Sequence, residues 1–433
     1  MIVDLDIKKI GCDVKMEVHS PDEDIGVSKY IAAHKVWEPF ETAIFCELLD
    51  SKSSFIDIGA NIGYYSLIAA KHFNDQGQVI SLEPDAINYA LLKNNVTLNK
   101  LNNIQALNLA CSDKVGTATI KKSVDNFGDH RLLAEESTLL EENDYIKTTT
   151  VDLLIEELNI PPSLIKIDTQ GSELSILLGM RNFFDELHEE SVVILEYWPH
   201  GIRDRGQSTG QLLNFLEQYD LEMLVLFEET GEISHCNLND LRRWTETILR
   251  PESKQYINLV LAKKSNKDIA KLKIKYIQNL IPFQFNHMYK AVSDNGQELS
   301  SALIPLGWSF PEENGVWSQD RFAEMRIVTK TLTVEGKKAY LNLKAHPFLI
   351  DGQLPVHRFK ATINGYQSVE YSLEKMDMTE IRIPLPETVA DEEELVISFE
   401  FFDADSPKAL GQSDDQRLLA ILLDSYGVFF EDE

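Results

Sequence analysis

Asp57-Ile58-Gly59-Ala60-Asn61-Ile62-Gly63-Tyr64-Tyr65-Ser66 decides the fold. An apolar strand-length run over 54–58 passes through two glycines into a segment, 63–72, with helical apolar spacing. Strand, Gly-rich turn and helix start follow one another directly. In such a βα unit, ligands bind outside the carboxyl ends of the strands. The glycines let the backbone turn sharply and let a ligand approach with no Cβ in the way. The dinucleotide fingerprint G-x-G-x-x-G is absent, because Asn61 stands where its second glycine would be. That glycine admits a pyrophosphate. The D-x-G-x-x-x-G form therefore suits an adenosyl ligand without phosphate, S-adenosylmethionine (SAM), and speaks against a nucleotide-sugar dehydrogenase or reductase.

Outward from this turn, a second strand over 79–83 ends in Glu83-Pro84. Glu83 lies about twenty residues past Gly63, where an acidic side chain accepts hydrogen bonds from both ribose hydroxyls. A third strand over 104–109 leads to Ala110-Cys111-Ser112-Asp113 and sets Ser112 and Asp113 at the adenine edge. A fourth, 164–168, opens into Ile165-Lys166-Ile167-Asp168-Thr169-Gln170-Gly171-Ser172-Glu173. Strands over 192–197, 222–227 and 256–262 and helices over 87–99, 172–184 and 210–219 complete the alternation of an α/β sheet covered on both faces. Extended pieces at 117–121 and 147–150 read as an inserted hairpin. The last two strands, joined only by the acidic, Trp-containing stretch 238–251, fit a sheet that ends antiparallel.

These motifs, with the upstream segment Trp37-Glu38-Pro39-Phe40-Glu41, resemble the FkbM family of methyltransferases over about residues 30–264. Thr169 is a small departure, since an aliphatic residue is commoner there. The resemblance implies a class I SAM-dependent O-methyltransferase with a Rossmann-like seven-stranded sheet, and sugars, glycans or natural products as acceptors. Four segments follow: an arm (1–30, with one strand near 14–18), the methyltransferase domain (31–264), a Lys-rich connector (265–295) and an all-β region (296–433). In the last, runs at 326–334, 339–344, 360–363, 380–383 and 394–401 alternate by two. Turn signals Glu335-Gly336, Asp351-Gly352 and Asn364-Gly365 separate them, as in a β-sandwich. Its Leu306–Trp317 stretch and the Asp414-Asp415-Gln416-Arg417 loop loosely resemble accessory modules beside bacterial glycan-processing enzymes. Trp308 and Trp317 are candidates to stack on a saccharide. Arg417 with Asp414 and Asp415 either binds its hydroxyls or forms a structural pair. Core packing and homo-oligomerisation are the competing roles for this module.

The cofactor set is Glu41, Asp57, Gly59, Ala60, Asn61, Gly63, Tyr64, Tyr65, Ser66, Glu83, Pro84, Ser112, Asp113 and Asp168. Methyl transfer to an alcohol requires an acceptor oxygen held behind the methyl and a group that takes its proton. Asp168, Glu196 and His200 are the catalytic candidates, at or beyond strand ends facing the cleft. Gln170, Glu173, Tyr197 and Trp198 are the acceptor-binding candidates. Glu173 is equally placed to cap a helix start, His200 to be a solvated loop residue, and the aromatics to be core. No metal is expected, because no spacing demands one.

Seventy acidic residues against 41 basic give a net charge of −29, which would repel a phosphate backbone and makes nucleic acid a poor acceptor. Cys12, Cys46, Cys111 and Cys236 are scattered, without zinc or disulfide spacing. No basic-then-apolar leader opens the chain and no apolar run reaches membrane length, so a cytoplasmic location is expected. The leading expectation is methylation of a saccharide or glycan-precursor hydroxyl. Its rivals are a natural-product O-methyltransferase and a non-catalytic glycan-binding scaffold.

Overall fold

The computed structural model describes residues 1–7, 13–74, 76–133, 145–159, 162–228, 230–250, 252–278, 286–291, 306–309, 312, 314–328, 337–365, 367–386 and 394–432. Cys12, Phe310, Pro311, Glu313, the turn Glu335-Gly336 and residues 279–285, 292–305 and 329–334 lie outside them. The chain divides into two compact units, Met1–Gln278 and Asn279–Glu433.

The first unit opens with a hairpin, β1 (Ile2–Asp4) and β2 (Lys15–Glu17), followed by helices α1 (Val27–His34) and α2 (Pro39–Leu49). The βα units follow: β3 (Ser54–Ile58), α3 (Tyr64–Phe73), β4 (Gln78–Leu82), α4 (Ala86–Leu98) and β5 (Ile104–Leu107). A side sheet comes next, made of β6 (Ala110–Cys111), β7 (Gly116–Lys121), β8 (Arg131–Leu132) and β9 (Tyr145–Thr149). Then come α5 (Val151–Leu158), β10 (Leu164–Ile167), α6 (Glu173–Leu178), α7 (Arg181–Asp185), β11 (Val192–Tyr197), α8 (Pro199–Asp204) and α9 (Thr209–Leu216). The unit closes with β12 (Leu221–Phe227), β13 (Glu232–Cys236), α10 (Leu238–Glu246), β14 (Ile257–Lys263) and α11 (Lys267–Leu272).

The main sheet runs β13-β12-β14-β11-β10-β3-β4-β5, with β14 antiparallel to both neighbours. β3, β10 and β11 are buried along their whole length, as central strands covered on both faces must be. Chain order reverses between β3 and β10, which opens a crevice at their carboxyl ends.

Several elements differ from the expectation. The sheet has eight strands, not seven, because β13 adds an antiparallel edge to β12. The stretch after it is not a mere link but helix α10. Asn237 and Asp240 form a capping box that satisfies its first amides. The helix expected over 172–184 is two, α6 and α7. They break at Gly179, whose backbone comes so close to the Ser112 carbonyl that a Cβ there would lie 2.1 Å from that oxygen. Residues 1–30, read as an arm, pack onto the first unit. Val14, Met16 and Val18 belong to the main core, and the Asn95 amide bonds both the Glu17 backbone and the Ile62 carbonyl. The arm thus braces the Gly turn through α4.

The second unit contains β15 (Tyr289–Lys290), β16 (Val316–Trp317), β17 (Phe322–Val328), β18 (Lys337–Pro347), β19 (His357–Ile363), β20 (Gln367–Leu373), β21 (Thr379–Pro384), β22 (Glu394–Phe401) and β23 (Ile421–Asp432). They form two antiparallel sheets, β15-β23-β18-β21 with β16 on β23, and β17-β22-β19-β20. Alternate residues of both feed one core, including Leu341, Leu343 and Ile383 from the first sheet and Phe359, Ile397 and Phe399 from the second. Trp308 lies in this core, 2 % exposed, with its Nε1–H donated to the Glu324 carbonyl at 3.0 Å. It is no stacking platform. Arg417 is engaged by Asp415 and by Glu312 at 2.7 Å, a pairing within the unit.

Met16→Ala should lower the unfolding free energy of the first unit by about 2–5 kcal/mol in urea titration, as for other buried Met truncations. A change below about 0.5 kcal/mol would show that the N-terminal hairpin is dispensable packing.

Candidate active site

The crevice is built around Gly59. Its φ of +87° is left-handed, and a Cβ there would lie 1.9 Å from the Asp168 carbonyl oxygen. Only glycine lets β3 and β10 approach so closely at the switch point. The Gly59 and Ala60 amides donate to the Leu82 carbonyl at 3.0 and 2.9 Å, and the Asp168 amide donates to the Ile58 carbonyl at 3.0 Å. Three strand ends are thereby laced together. Beneath the turn, Ser66 donates to the Asp57 carboxylate at 2.6 Å and sits 2.7 Å from the Ser81 hydroxyl. Burial pushes Asp57 up to about 6 despite the Ser66 hydrogen bond. Asp57 borders the cleft from below, whereas Ser66 is sealed behind it.

At one end of the cleft stands Glu83. Its carboxylate accepts the Asn61 and Asp85 amides, both at 2.8 Å, and burial pushes it up to about 8. Asn61 itself has φ +49°, so the turn aims a backbone amide at this carboxylate. Pro84, Leu109, Ala110, Cys111, Ile120 and Leu132 continue the wall as an apolar slot. Phe127 and His130 border the same end. The Phe127 carbonyl accepts from the Asn88 amide at 2.9 Å, and its N–H donates to Asp24 at 3.1 Å. Sequence reasoning missed this strap, because residues 122–130 show no periodicity.

The other end is acidic. Glu38, Asp168 and Glu196 line it, with Gln170, Tyr65 and Tyr256. The Gln170 amide donates to Asp168 at 3.0 Å and to Glu196 at 2.9 Å, holding two carboxylates side by side. Tyr65 donates to Glu38 at 3.1 Å. Buried Lys166 ties the group together, 2.8 Å from Glu41, 3.1 Å from Asp168 and 4.7 Å above the Tyr65 ring. Burial opposes its charge, but Asp168, Glu41 and Glu38 outweigh that and hold the ammonium well above its ordinary value. Burial, reinforced by Glu41, pushes Glu38 well up, and burial with Asp168 does the same for Glu196. Lys166, Glu38 and Tyr256 were not among the expected site residues. A lysine inside the apolar run Leu164-Ile165-Lys166-Ile167 is itself a signal, since a buried charge requires a partner.

The structure brings Gly59, Ala60, Asn61, Tyr64, Tyr65, Glu83, Pro84, Asp168, Gln170 and Glu196 to one cleft, with Asp57. Gly63 caps α3 with φ +96° and does not itself line the cleft. Other expected residues do not line it. Ser112 and Asp113 lie past the point where the chain leaves the main sheet for β6, and Ser112 bonds Asp113 instead. Glu41 is fully buried behind the wall, held by Lys166 and the Asn258 amide. Glu173 turns back to accept the Gly171 amide and the Thr169 hydroxyl, at 2.9 and 3.1 Å, which closes the loop after β10. Tyr197 is core and hydrogen-bonded to Thr245 at 2.6 Å. Trp198 donates to the Lys254 carbonyl and lies under the Arg131 guanidinium. His200 packs near Trp198. Among the described residues, no group of three or more His, Cys, Asp or Glu is arranged to hold a metal.

Two measurements test this electrostatics. Lys166→Met leaves Glu41 buried without its cation and should cost about 3–5 kcal/mol of stability. Adding Glu41→Gln should restore much of it; a single variant as stable as wild type would contradict the ion pair. Glu83 has a folded-state proton affinity raised from 4.5 to about 8. The stability it contributes is therefore present in full below about pH 4.5 and is lost as pH rises through about 8. Glu83→Gln should flatten the fall in unfolding free energy across that window, and an unchanged slope would refute the assignment.

Residues 57–223 match the model of the methyltransferase FkbM domain. The methyltransferase sdnD of Sordaria araneosa is 29% identical over 187 residues, 36% of this chain and 70% of that protein. The hexuronic acid methyltransferase AglP of Haloferax volcanii is 29% identical over 142 residues, 32% of this chain and 54% of AglP, so the match spans about half of that relative. The crystal structure of methyltransferase FkbM from Methylobacillus flagellatus aligns at 19% identity and a TM-score of 0.31, covering 48% of this chain and 43% of that one. Over residues 57–223, the chain is thus similar to the methyltransferase FkbM domain.

Proposed function

We propose that the first unit is a class I SAM-dependent O-methyltransferase that methylates a hydroxyl of a saccharide or glycan precursor. One observation carries this reading: a single cleft joins the Gly59–Gly63 turn and Glu83 at one end to the Asp168–Glu196 pair at the other. The residues present fit the cofactor. Glu83 offers a buried carboxylate to ribose hydroxyls, the glycine turn leaves room for the chain beyond the ribose, and Leu109, Ala110 and Cys111 offer an apolar wall to adenine. The match to AglP favours a sugar acceptor, and the second unit, read as a β-sandwich, is the accessory module.

When bound, SAM supplies an electrophilic methyl group on a sulfonium sulfur. The acceptor hydroxyl, oriented by Asp168, would give up its proton to a carboxylate. Glu196 receives it in this account, because it stands beside Asp168 in the cleft and burial, with Asp168, raises its proton affinity. Asp168 is held by Lys166 and Gln170 to orient the acceptor hydroxyl. Cys46, Cys111 and Cys236 are buried and reduced, which fits the proposed cytoplasmic location. No described helix is long and apolar enough to cross a membrane.

Calorimetric titration of the full chain with S-adenosylhomocysteine (SAH) should show micromolar binding, about −8 kcal/mol, weakened at least about tenfold in Glu83→Ala. Folded protein without measurable binding would favour the glycan-binding scaffold. Glu196→Gln should keep SAH affinity and lose about 10²-fold or more in methyl transfer; unimpaired transfer would move the proton acceptor elsewhere.

A further inference from the structure

We propose that the acidic end of the cleft recognises positive charge at the transferring methyl, so that the site itself distinguishes SAM from the SAH it becomes. This rests on the SAM reading above and adds a specificity role for Glu38 and Tyr256.

Three carboxylates, Glu38, Asp168 and Glu196, face this end, and Glu41 lies directly behind it. Among the described lining residues, only Lys166 supplies a fixed cation there, and it is already committed to Glu41, Asp168 and the Tyr65 ring. The remaining basic lining residue, His130, borders the opposite end with Phe127. The pole therefore holds more acidic than basic side chains, in surroundings that keep water off Glu196, 5 % exposed. Like charges held side by side raise each other's energy, and a cation delivered between them relieves it.

An independent observation points to the same ligand chemistry. The Tyr256 ring is 46 % exposed, lines the cleft, and reaches Glu38 with its hydroxyl at 3.5 Å. Trp37 lines the cleft as well. Aromatic faces combined with carboxylates are the usual receptors for onium cations, which offer no N–H for a hydrogen bond. The backbone is set for this purpose at Glu38, whose φ of +39° is left-handed and whose position is fixed by Pro39 at the start of α2. A non-glycine residue in that region is strained, and such strain persists where the surroundings over-determine it.

Methyl transfer removes the sulfonium charge, since the carbon–sulfur bonding pair stays on sulfur. The product thus loses the attraction that held the substrate form, and the pole favours exchange of SAH for SAM.

The test is a pair of calorimetric titrations on the full chain, one with SAM and one with SAH, which share every group but the methyl and its charge. Wild type should bind SAM about tenfold more tightly than SAH, the equivalent of about 1.4 kcal/mol. Glu38→Gln and Tyr256→Leu should each reduce that ratio at least about threefold. Their SAH affinity should stay within about twofold of wild type, which also reports that the variants are folded. Equal or tighter SAH binding in wild type overturns the proposal, as does a ratio that neither variant moves, and both leave the methyltransferase reading standing. Failure of that reading looks different: neither ligand binds.

Discussion

The ammonium of Lys166 sits at the centre of the first unit, on strand β10, where the carboxylates of Glu41 and Asp168 converge on it. Such a cation is expensive to bury and tolerable only when fully paired. The pairing has a geometric consequence. Glu41 belongs to α2, Asp168 follows β10, and the ring under the ammonium belongs to α3. One charge therefore fixes three elements against each other and sets the floor on which Glu38, Gln170 and Glu196 stand. Without it, Glu41 would be an uncompensated buried anion and α2 would have no electrostatic reason to seat there.

The second constraint is steric. Gly59 brings the end of β3 into contact with the Asp168 carbonyl. The carboxylate at the acidic end and the Gly59–Gly63 turn are therefore one backbone contact apart. The Glu83 carboxylate is joined to the same turn through the Asn61 amide. The two ends cannot drift independently. That is what a reaction requiring in-line alignment of donor and acceptor demands of a scaffold.

Much of this was legible in the residues. The glycine turn, Glu83 and Asp168 are local signals: each depends on a strand end and the few residues after it, and chain order alone sets them at one edge. What was not legible depends on contacts distant in sequence. Glu38 and Tyr256 are 218 residues apart and meet at 3.5 Å. Glu41 reads as a cofactor contact until the fold places Lys166 and Asn258 around it. Ser112 and Asp113 were misplaced because nothing local announces that the chain leaves the main sheet after Leu107 to pair Ala110 with Thr148. The edge strand β13 has a similar explanation: Glu232–Cys236 carries only two buried residues, too few for an alternating pattern to stand out. In the second unit the β pattern was plain, but Trp308 was not. An indole can stack on a sugar or fill a core, and only the Glu324 carbonyl at 3.0 Å decides for the core.

The most direct test of the central claim is a crystal structure of the full chain with SAH. The account predicts the ribose hydroxyls on the Glu83 carboxylate, adenine against Leu109–Cys111 and the sulfur turned toward Glu38, Asp168 and Glu196. A nucleoside bound elsewhere, or one whose sulfur points away from that acidic end, would contradict it.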